Sequence, residues 1–233
     1  MRPVSGAWPP PALVMQLGEG EPRSGFTNDF RAAVSTPMGH YCALQSINAE
    51  DTITWNFFGT LMHAPEADRA SFLNWMCDRL GLPWTSNTRC AIDLWRRVPH
   101  PYFPGADGPE LDAALDGDEC VVFVEAKWLS PEGTGRGPNG TRVGQMHLRQ
   151  QFFARWGQAL YGDRGRLTLS VGLIGKLTPD YGPDERRIAV RSVSWTDLAA
   201  YDAHPNAEEF SRYLAWKLHH SPRAGKRIMQ AGT

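Results

Sequence analysis

The sequence predicts a single α/β domain in which helices flank a mixed β-sheet. Segments with helical periodicity alternate with short apolar runs bounded by turn residues, and no internal repeat is visible. The length of 233 residues and the hydrophobic content of 42% are sufficient for one core. Residues 1–35 carry Pro, Gly and mixed charge without periodicity. We therefore expect an N-terminal arm, partly disordered, and one domain over 36–233.

Two helices are predicted before the first strand. Residues 48–62 begin with the cap-like Asn48, followed by acids in the first turn and apolar residues at helical spacing. Glu50 would lie near the start of this helix on its inward stripe, where an acid needs a partner. A second helix is predicted over 66–80 and a strand over 88–97.

A hairpin is predicted next, because the turn signal Asp116-Gly117-Asp118 separates 110–115 from the apolar segment 120–128. Alternation along the second strand places Glu125 and Lys127 on one face. A loop of two or four residues would pair Asp112 with position 121 or 123 and put it on that same face, whereas an odd loop would reverse it.

The C-terminal half continues with a Gly-rich loop over Pro131 to Gly144, of the kind that closes over a substrate. An amphipathic helix is predicted from Gln145 to Leu160. Strands are predicted over 166–176 and 187–195, and a final helix over 207–220. The resulting order, α-(α)-β-β-β-α-β, is typical of a mixed sheet with helices on its faces.

Charge is distributed unevenly, although the net charge is only −1. Residues 98–126 hold seven acids and no Lys or Arg, whereas 132–166 hold six arginines against two acids. This pattern is what a cation site beside a phosphate-binding surface would produce, and ordinary solvated surfaces are the alternative.

The four cysteines form no CxxC pair, so we expect buried free thiols in a reducing compartment. The absence of a long apolar segment predicts a cytoplasmic protein without a membrane span.

Asp112, Glu125 and Lys127, in this order, resemble the motif of the PD-(D/E)XK nuclease superfamily, which includes restriction endonucleases and RecB-type nucleases. The match departs from the family pattern because the sequence reads Pro109-Glu110-Leu111-Asp112, so the proline is not next to the aspartate. The resemblance covers residues 46–176. It implies a restriction-endonuclease-like αβββαβ core and Mg²⁺- or Mn²⁺-dependent hydrolysis of phosphodiester bonds, in DNA more than in RNA. A role in a bacterial defence or mobile-element system also rests on this resemblance.

The same chemistry assigns roles to the motif residues. Asp112 and Glu125 would supply hard oxygen ligands to Mg²⁺, with Glu110 as the rival of Asp112. Lys127 would hold the attacking water or a phosphate oxygen. The resemblance implies three further roles: a metal ligand at the Ala126 carbonyl, a second metal position at Glu50, and a bond from the Gln145 amide to the nucleophilic water. Gln150, Gln151 and Gln158 compete for the last role.

Three arginines, Arg136, Arg142 and Arg149, are candidates for nucleic-acid binding because they lie on the predicted loop and the helix behind it.

The main alternative function is that of a catalytically inactive protein with the same fold, which binds nucleic acid or a protein partner. A structural protein with Trp-rich surfaces is a third, but we expect Trp55, Trp95, Trp128 and Trp156 in the core. Cutting both strands of a duplex at once would require a homodimer, which the sequence does not decide.

Overall fold

The computed structural model describes residues 50–173 and 180–220. The predicted arm over 1–35, Cys42 and the end of the strand predicted over 166–176 lie outside these ranges. In chain order the strands are β1 (Cys90–Pro99), β2 (Asp107–Gly117), β3 (Cys120–Ala126), β4 (Thr134–Arg136), β5 (Arg142–Gly144), β6 (Gly165–Gly172) and β7 (Ile188–Ser194).

Five helices and a short 3₁₀ helix, Pro138–Gly140, accompany these strands in the described ranges. Helix α1 comprises residues 50–62 and contains a π-helical stretch, Trp55–Gly59, between α-helical Glu50–Thr54 and Thr60–Met62. The others are α2 (Glu66–Arg79), α3 (Gln145–Tyr161), α4 (Trp195–Ala199) and α5 (Ala207–His220). None of the helices in the described ranges combines the length and apolar composition needed to cross a bilayer.

The main sheet is mixed and five-stranded, with the order β1-β2-β3-β6-β7. Strands β1, β2 and β3 form an antiparallel meander, and β6 and β7 continue the sheet in parallel with β3. Every residue of β3 is buried, which explains its continuous apolar run at the centre of the sheet. Helix α3 connects β3 to β6, as a parallel pair requires a crossover. A mixed sheet flanked by helices is therefore confirmed.

The connection between β2 and β3 is two residues long, and this corrects the predicted register. Ala113 pairs with Val124 and Asp116 with Val121, and continuing this register by one residue would place Asp112 opposite Glu125. Asp112 was expected opposite 121 or 123 because the turn was predicted to include Asp116 and Gly117, whereas β2 runs through both. The loop length is even, so Asp112 still shares the face of Glu125.

Hydrophobic residues on the two faces of the sheet pack against different helices. On one face Val122 and Val124 of β3 join a core with residues of α1, α2 and α5. On the other, Phe123 packs against Phe152 and Phe153 of α3. This division gives the sheet its two layers of helix. The side chains of Glu125 and Lys127 lie on the α3 side, because residues of alternate parity point to opposite faces.

Two further predictions were wrong. The Gly-rich segment over Pro131 to Gly144 contains a small antiparallel hairpin, in which β4 pairs with β5. Trp95 is 37% exposed and does not lie in the core, whereas Trp128 is 1% exposed. Cys77, Cys90 and Cys120 are buried free thiols, as expected.

His204 links α1 to the segment before α5, and its hydrogen bonds define its protonation state. Its Nδ1 accepts from the Asn206 N–H at 3.0 Å, so Nε2 carries the proton and donates to the Phe57 carbonyl at 3.2 Å. The ring is buried and stacks on Phe57 with centroids 4.6 Å apart. Burial lowers the pKa of His204 to about 4, although the bond to Phe57 opposes the shift.

We expect acid to destabilise the fold through His204. Because the folded-state pKa is depressed, the unfolded state binds a proton first, and stability falls as pH drops from 6.5 toward 4. Between pH 7 and pH 5 this residue should account for a loss of about 2 kcal/mol in the free energy of unfolding. Urea unfolding at both pH values measures it.

The comparison needs His204→Gln and a matched surface control. His204→Gln should be less stable at pH 7 but should lose less stability on acidification than the wild type. His63→Gln, at an exposed position, should keep the wild-type slope. An identical slope in His204→Gln would show that this ring does not govern the acid response.

Candidate active site

Asp112, Glu125 and Lys127 converge where β3 ends. The Lys127 Nζ lies 3.0 Å from Oε1 of Glu125. The Oδ2 atom of Asp112 accepts a 2.6 Å hydrogen bond from the Ala126 N–H. The N–H and C=O of one residue in an extended strand point to the same side, so the Ala126 carbonyl is directed toward β2 as well. The structure thus brings together the four motif positions predicted from the sequence.

Glu50, at the start of α1, closes this cluster from the other face of the sheet. Its Oε1 accepts hydrogen bonds from the Trp128 and Ser130 N–H groups, each at 3.2 Å, and from the Ser130 hydroxyl. Its Oε2 lies 3.5 Å from the Lys127 Nζ. Glu50 therefore anchors the segment after β3 and contributes negative charge beside Lys127.

Arg149 has a different environment from the one expected for a phosphate clamp. Its side chain is 1% exposed and forms an ion pair with Oε2 of Glu125, whose side chain is 3% exposed. The same guanidinium donates to the Glu110 carbonyl at 2.5 Å. A buried carboxylate needs such a partner, because desolvating an uncompensated charge costs several kcal/mol. Arg149 therefore balances Glu125 inside the protein and is not open to an incoming phosphate in this arrangement.

Gln145 is the first residue of α3, and its role at the nucleophilic water stays a prediction. Its side-chain Oε1 is buried and has no hydrogen-bond partner among the described residues. The rival Gln158 lies near the other end of α3, where its amide bonds Arg166 and Asp163. Gln158 is therefore engaged away from the end of β3.

The charges around Asp112 compete. Burial, reinforced by the charge of Glu125, raises the pKa of Asp112 to about 7, although Lys127 and the Ala126 N–H act in the opposite direction. Burial alone would lower the pKa of Lys127, but the charges of Glu125 and Asp112 outweigh it and the net pKa is raised. Lys127 therefore stays a cation, while Asp112 holds a proton readily near neutral pH.

Glu110, the rival of Asp112, is engaged elsewhere. It is exposed, and its Oε2 lies 2.9 Å from a guanidinium nitrogen of Arg97 on β1. The preference for Asp112 is therefore consistent with the geometry.

The β4–β5 hairpin presents two arginines at its surface. Arg136 and Arg142 are direct cross-strand partners and both are exposed. Arg142 donates twice to the Thr134 hydroxyl, and the Arg136 guanidinium lies 4.5 Å from the centroid of the Phe103 ring. Like charges that face each other across a hairpin destabilise it, and a bound anion would relieve the repulsion.

Sequence reasoning missed two residues at this end of the sheet. Glu132 accepts a 2.6 Å bond from the Met146 N–H and so satisfies an N-terminal donor of α3. Lys217 of α5 is fully buried with its Nζ 4.7 Å from the centroid of the Trp128 ring. Burial lowers the pKa of Lys217 to about 7, and the charge of Glu50 opposes the shift. The sequence did carry a signal for Lys217, because this lysine lies on the apolar stripe of the last helix.

The oxygen donors at the end of β3 determine whether a divalent cation would fit. Among residues 50–173 and 180–220, no three His, Cys, Asp or Glu side chains are grouped closely enough to hold a metal ion. Glu50 therefore does not join Asp112 and Glu125 in one ligand set here. Two carboxylates and the Ala126 carbonyl remain, and this set fits Mg²⁺ or Mn²⁺ because Mg²⁺ usually retains several waters.

We expect opposite effects on stability when the two motif carboxylates are neutralised. Asp112→Asn should stabilise the protein by about 1–3 kcal/mol at pH 8 in EDTA. Because the folded-state pKa of Asp112 is raised, its contribution is fully present below pH 3.8 and is lost as pH rises through about 7. The gain from Asn should therefore grow over that range. Chemical unfolding at pH 4, 6 and 8 measures it.

Glu125→Gln is the counterpart and should destabilise the protein by about 3–5 kcal/mol, because it leaves Arg149 buried without its carboxylate. The double change Glu125→Gln with Arg149→Met should recover part of this loss, since it removes both charges. Equal effects of Asp112→Asn and Glu125→Gln would contradict the different environments assigned to the two acids.

No protein-family model, curated protein or solved structure matches this chain. The chemistry assigned to the cluster therefore rests on its own residues and on their arrangement at the end of β3.

Proposed function

We propose that this protein is a metal-dependent nuclease that hydrolyses phosphodiester bonds, in DNA more than in RNA. The observation that carries the proposal is the convergence of Asp112, Glu125 and Lys127 at the end of one buried strand. Two hard oxygen donors and one fixed ammonium are the groups that phosphodiester hydrolysis needs: ligands for a cation and positive charge for the developing negative charge.

The topology supports the finer assignment of a restriction-endonuclease-like core. An antiparallel β1-β2-β3 meander is followed by α3 and the parallel strand β6, with α1 before them. This order agrees with the αβββαβ core that the resemblance of Asp112, Glu125 and Lys127 to the PD-(D/E)XK superfamily implies. The displaced proline is the departure that remains.

Asp112, Glu125 and the Ala126 carbonyl would hold Mg²⁺ or Mn²⁺. When bound, the ion lowers the pKa of a coordinated water and stabilises negative charge on the phosphate. The second metal position predicted for Glu50 stays a proposal, since Glu50 also bonds the Trp128 and Ser130 N–H groups.

The protein's own residues complete the chemistry. Lys127 is held between Glu125 and Glu50 and would position a phosphate oxygen or the attacking water as a fixed point charge. The Gln145 Oε1, buried without a partner among the described residues, would accept a hydrogen bond from that water. Arg136 and Arg142 would contact flanking phosphates.

A second function is favoured by one observation. Both oxygens of Glu125 are engaged, one by Lys127 and one by Arg149. A carboxylate with both oxygens paired to protein cations is less available to a metal ion. This would suit a catalytically inactive protein of the same fold that binds nucleic acid or a protein partner without cutting. Cleavage assays separate the two functions.

The proposal also includes a cytoplasmic location and a homodimer that cuts both strands of a duplex.

We expect Lys127→Ala to reduce cleavage by at least about 100-fold, because it removes a charge that acts on the transition state. The assay follows plasmid and single-stranded DNA on gels with Mg²⁺, Mn²⁺, Ca²⁺ or EDTA. Arg212→Ala, at an exposed position on α5, is the matched control and should cleave like the wild type. Wild-type rates in folded Lys127→Ala would rule out its catalytic role. DNA binding without cleavage by the wild type would favour the catalytically inactive protein of the same fold.

The hairpin arginines should contribute non-specific affinity. Replacing Arg136 or Arg142 by Ala should weaken binding equally across DNA sequences and lower the salt slope of log affinity by about one unit each. Titrations at several salt concentrations in Ca²⁺ measure the slope. Arg149→Ala should instead destabilise the fold, because it leaves the buried Glu125 carboxylate without its guanidinium partner. Unchanged slopes in Arg136→Ala and Arg142→Ala would move the phosphate contacts to another surface.

A further inference from the structure

Trp95 is an exposed aromatic residue held in an unusual backbone conformation. Its φ is 53°, in the left-handed region, although it lies within β1. A bulky side chain adopts this region only when its surroundings enforce it, and such residues cluster at functional sites. The side chain is 37% exposed, one of the few large hydrophobic side chains with this exposure in the described ranges.

The ring of Trp95 is covered on one side by a second indole ring. It stacks on Trp55 of α1 with ring centroids 5.2 Å apart and an interplanar angle of 9°. Trp55 belongs to the π-helical stretch of α1, and its indole Nε1 is buried without a partner in the described ranges. The parallel stack fixes the orientation of the Trp95 ring, and 37% of the residue remains exposed.

The strand register brings the backbone of Trp95 next to that of Asp112, while the Trp95 ring packs against α1. Leu94 pairs with Ala113 and Arg96 with Leu111, so Trp95 lies across from Asp112. Neighbouring strands are about 4.8 Å apart, so only one strand spacing separates the backbone of Trp95 from that of a motif carboxylate.

Two exposed arginines follow Trp95 on the same strand. Arg96 pairs with Asp93 at 2.7 Å and Arg97 with Glu110 at 2.9 Å. Exposed ion pairs of this kind contribute little stability, so the guanidinium groups are able to exchange their carboxylates for phosphates. An aromatic face beside exposed basic groups is the combination that binds unpaired nucleotides through base stacking and backbone charge.

We propose that Trp95 is a stacking platform for an unpaired nucleobase of the DNA strand that enters the candidate active site. The inference deepens the proposed nuclease function and rests on it. It specifies the substrate class as single-stranded DNA, or duplex DNA with unpaired nucleotides next to the cleaved bond. Arg96 and Arg97 would hold the adjoining phosphates.

The test compares three probes in Ca²⁺ by fluorescence anisotropy: a labelled thymidine 12-mer, a strand of equal length built from abasic nucleotides, and a blunt duplex. Trp95→Ala should weaken binding of the thymidine strand by roughly 5- to 100-fold, as loss of one stacked base predicts. It should leave the abasic strand unaffected. Trp95→Phe should restore most of the affinity, because stacking needs a ring and no hydrogen bond.

Tyr181→Ala is the matched control. Tyr181 is 42% exposed and bridges to Val190 of β7, the opposite edge of the sheet, so its removal should leave all three affinities unchanged. Thermal melts and sedimentation of each variant accompany the titrations.

Equal affinity of wild type and Trp95→Ala for the thymidine strand would overturn the platform, as would an equal loss on the abasic strand. A change from dimer to monomer in Trp95→Ala, without loss of strand binding, would identify a contact between two copies and also overturn it. The nuclease proposal fails independently, if the wild type cuts no DNA or if Lys127→Ala cuts as well as the wild type.

Discussion

The burial of the Glu125 carboxylate is the constraint on which the site depends. Glu125 is the sixth residue of a strand that is buried throughout, and it is itself only 2% exposed. A charge in that position requires compensation, and two cations supply it from different elements: Lys127 two residues later and Arg149 from the second turn of α3. The pairing with Arg149 fixes how α3 lies across β3. It thereby fixes Gln145 at the start of that helix and the hairpin that precedes it.

Most of the fold was predictable because it depends on local patterns. The burial of β3 follows from its apolar run, and α3 from its periodic aromatic residues. The sheet face on which Asp112 lies was predictable, because any loop with an even number of residues gives the same face. Its pairing partner was not predictable, because the turn lies two residues beyond the signal at Asp116. The face depends on whether the loop length is odd or even, whereas the register depends on where the turn begins.

The roles of Arg149 and Trp95 could not be read from the sequence, and the reasons differ. An arginine on a helix face looks the same whether it meets solvent or a buried acid, because its partner is 24 positions away in the chain. Trp95 followed the alternation of a strand, but alternation assumes extended backbone, and its φ of 53° breaks that assumption. Long-range pairing and local backbone strain both lie outside what periodicity encodes.

The irregular backbone at Trp95 also bears on how two copies of the chain meet. Within residues 50–173 and 180–220, β1 is the terminal strand of the five-stranded sheet, and such a strand offers unsatisfied N–H and C=O groups to a second strand. A left-handed residue in its middle, followed by two charged side chains, interrupts the straight row of donors and acceptors that continuous pairing needs. The edge nearest Asp112 is thereby protected against sheet extension and aggregation, and it stays accessible to ligands that do not bind as a β-strand.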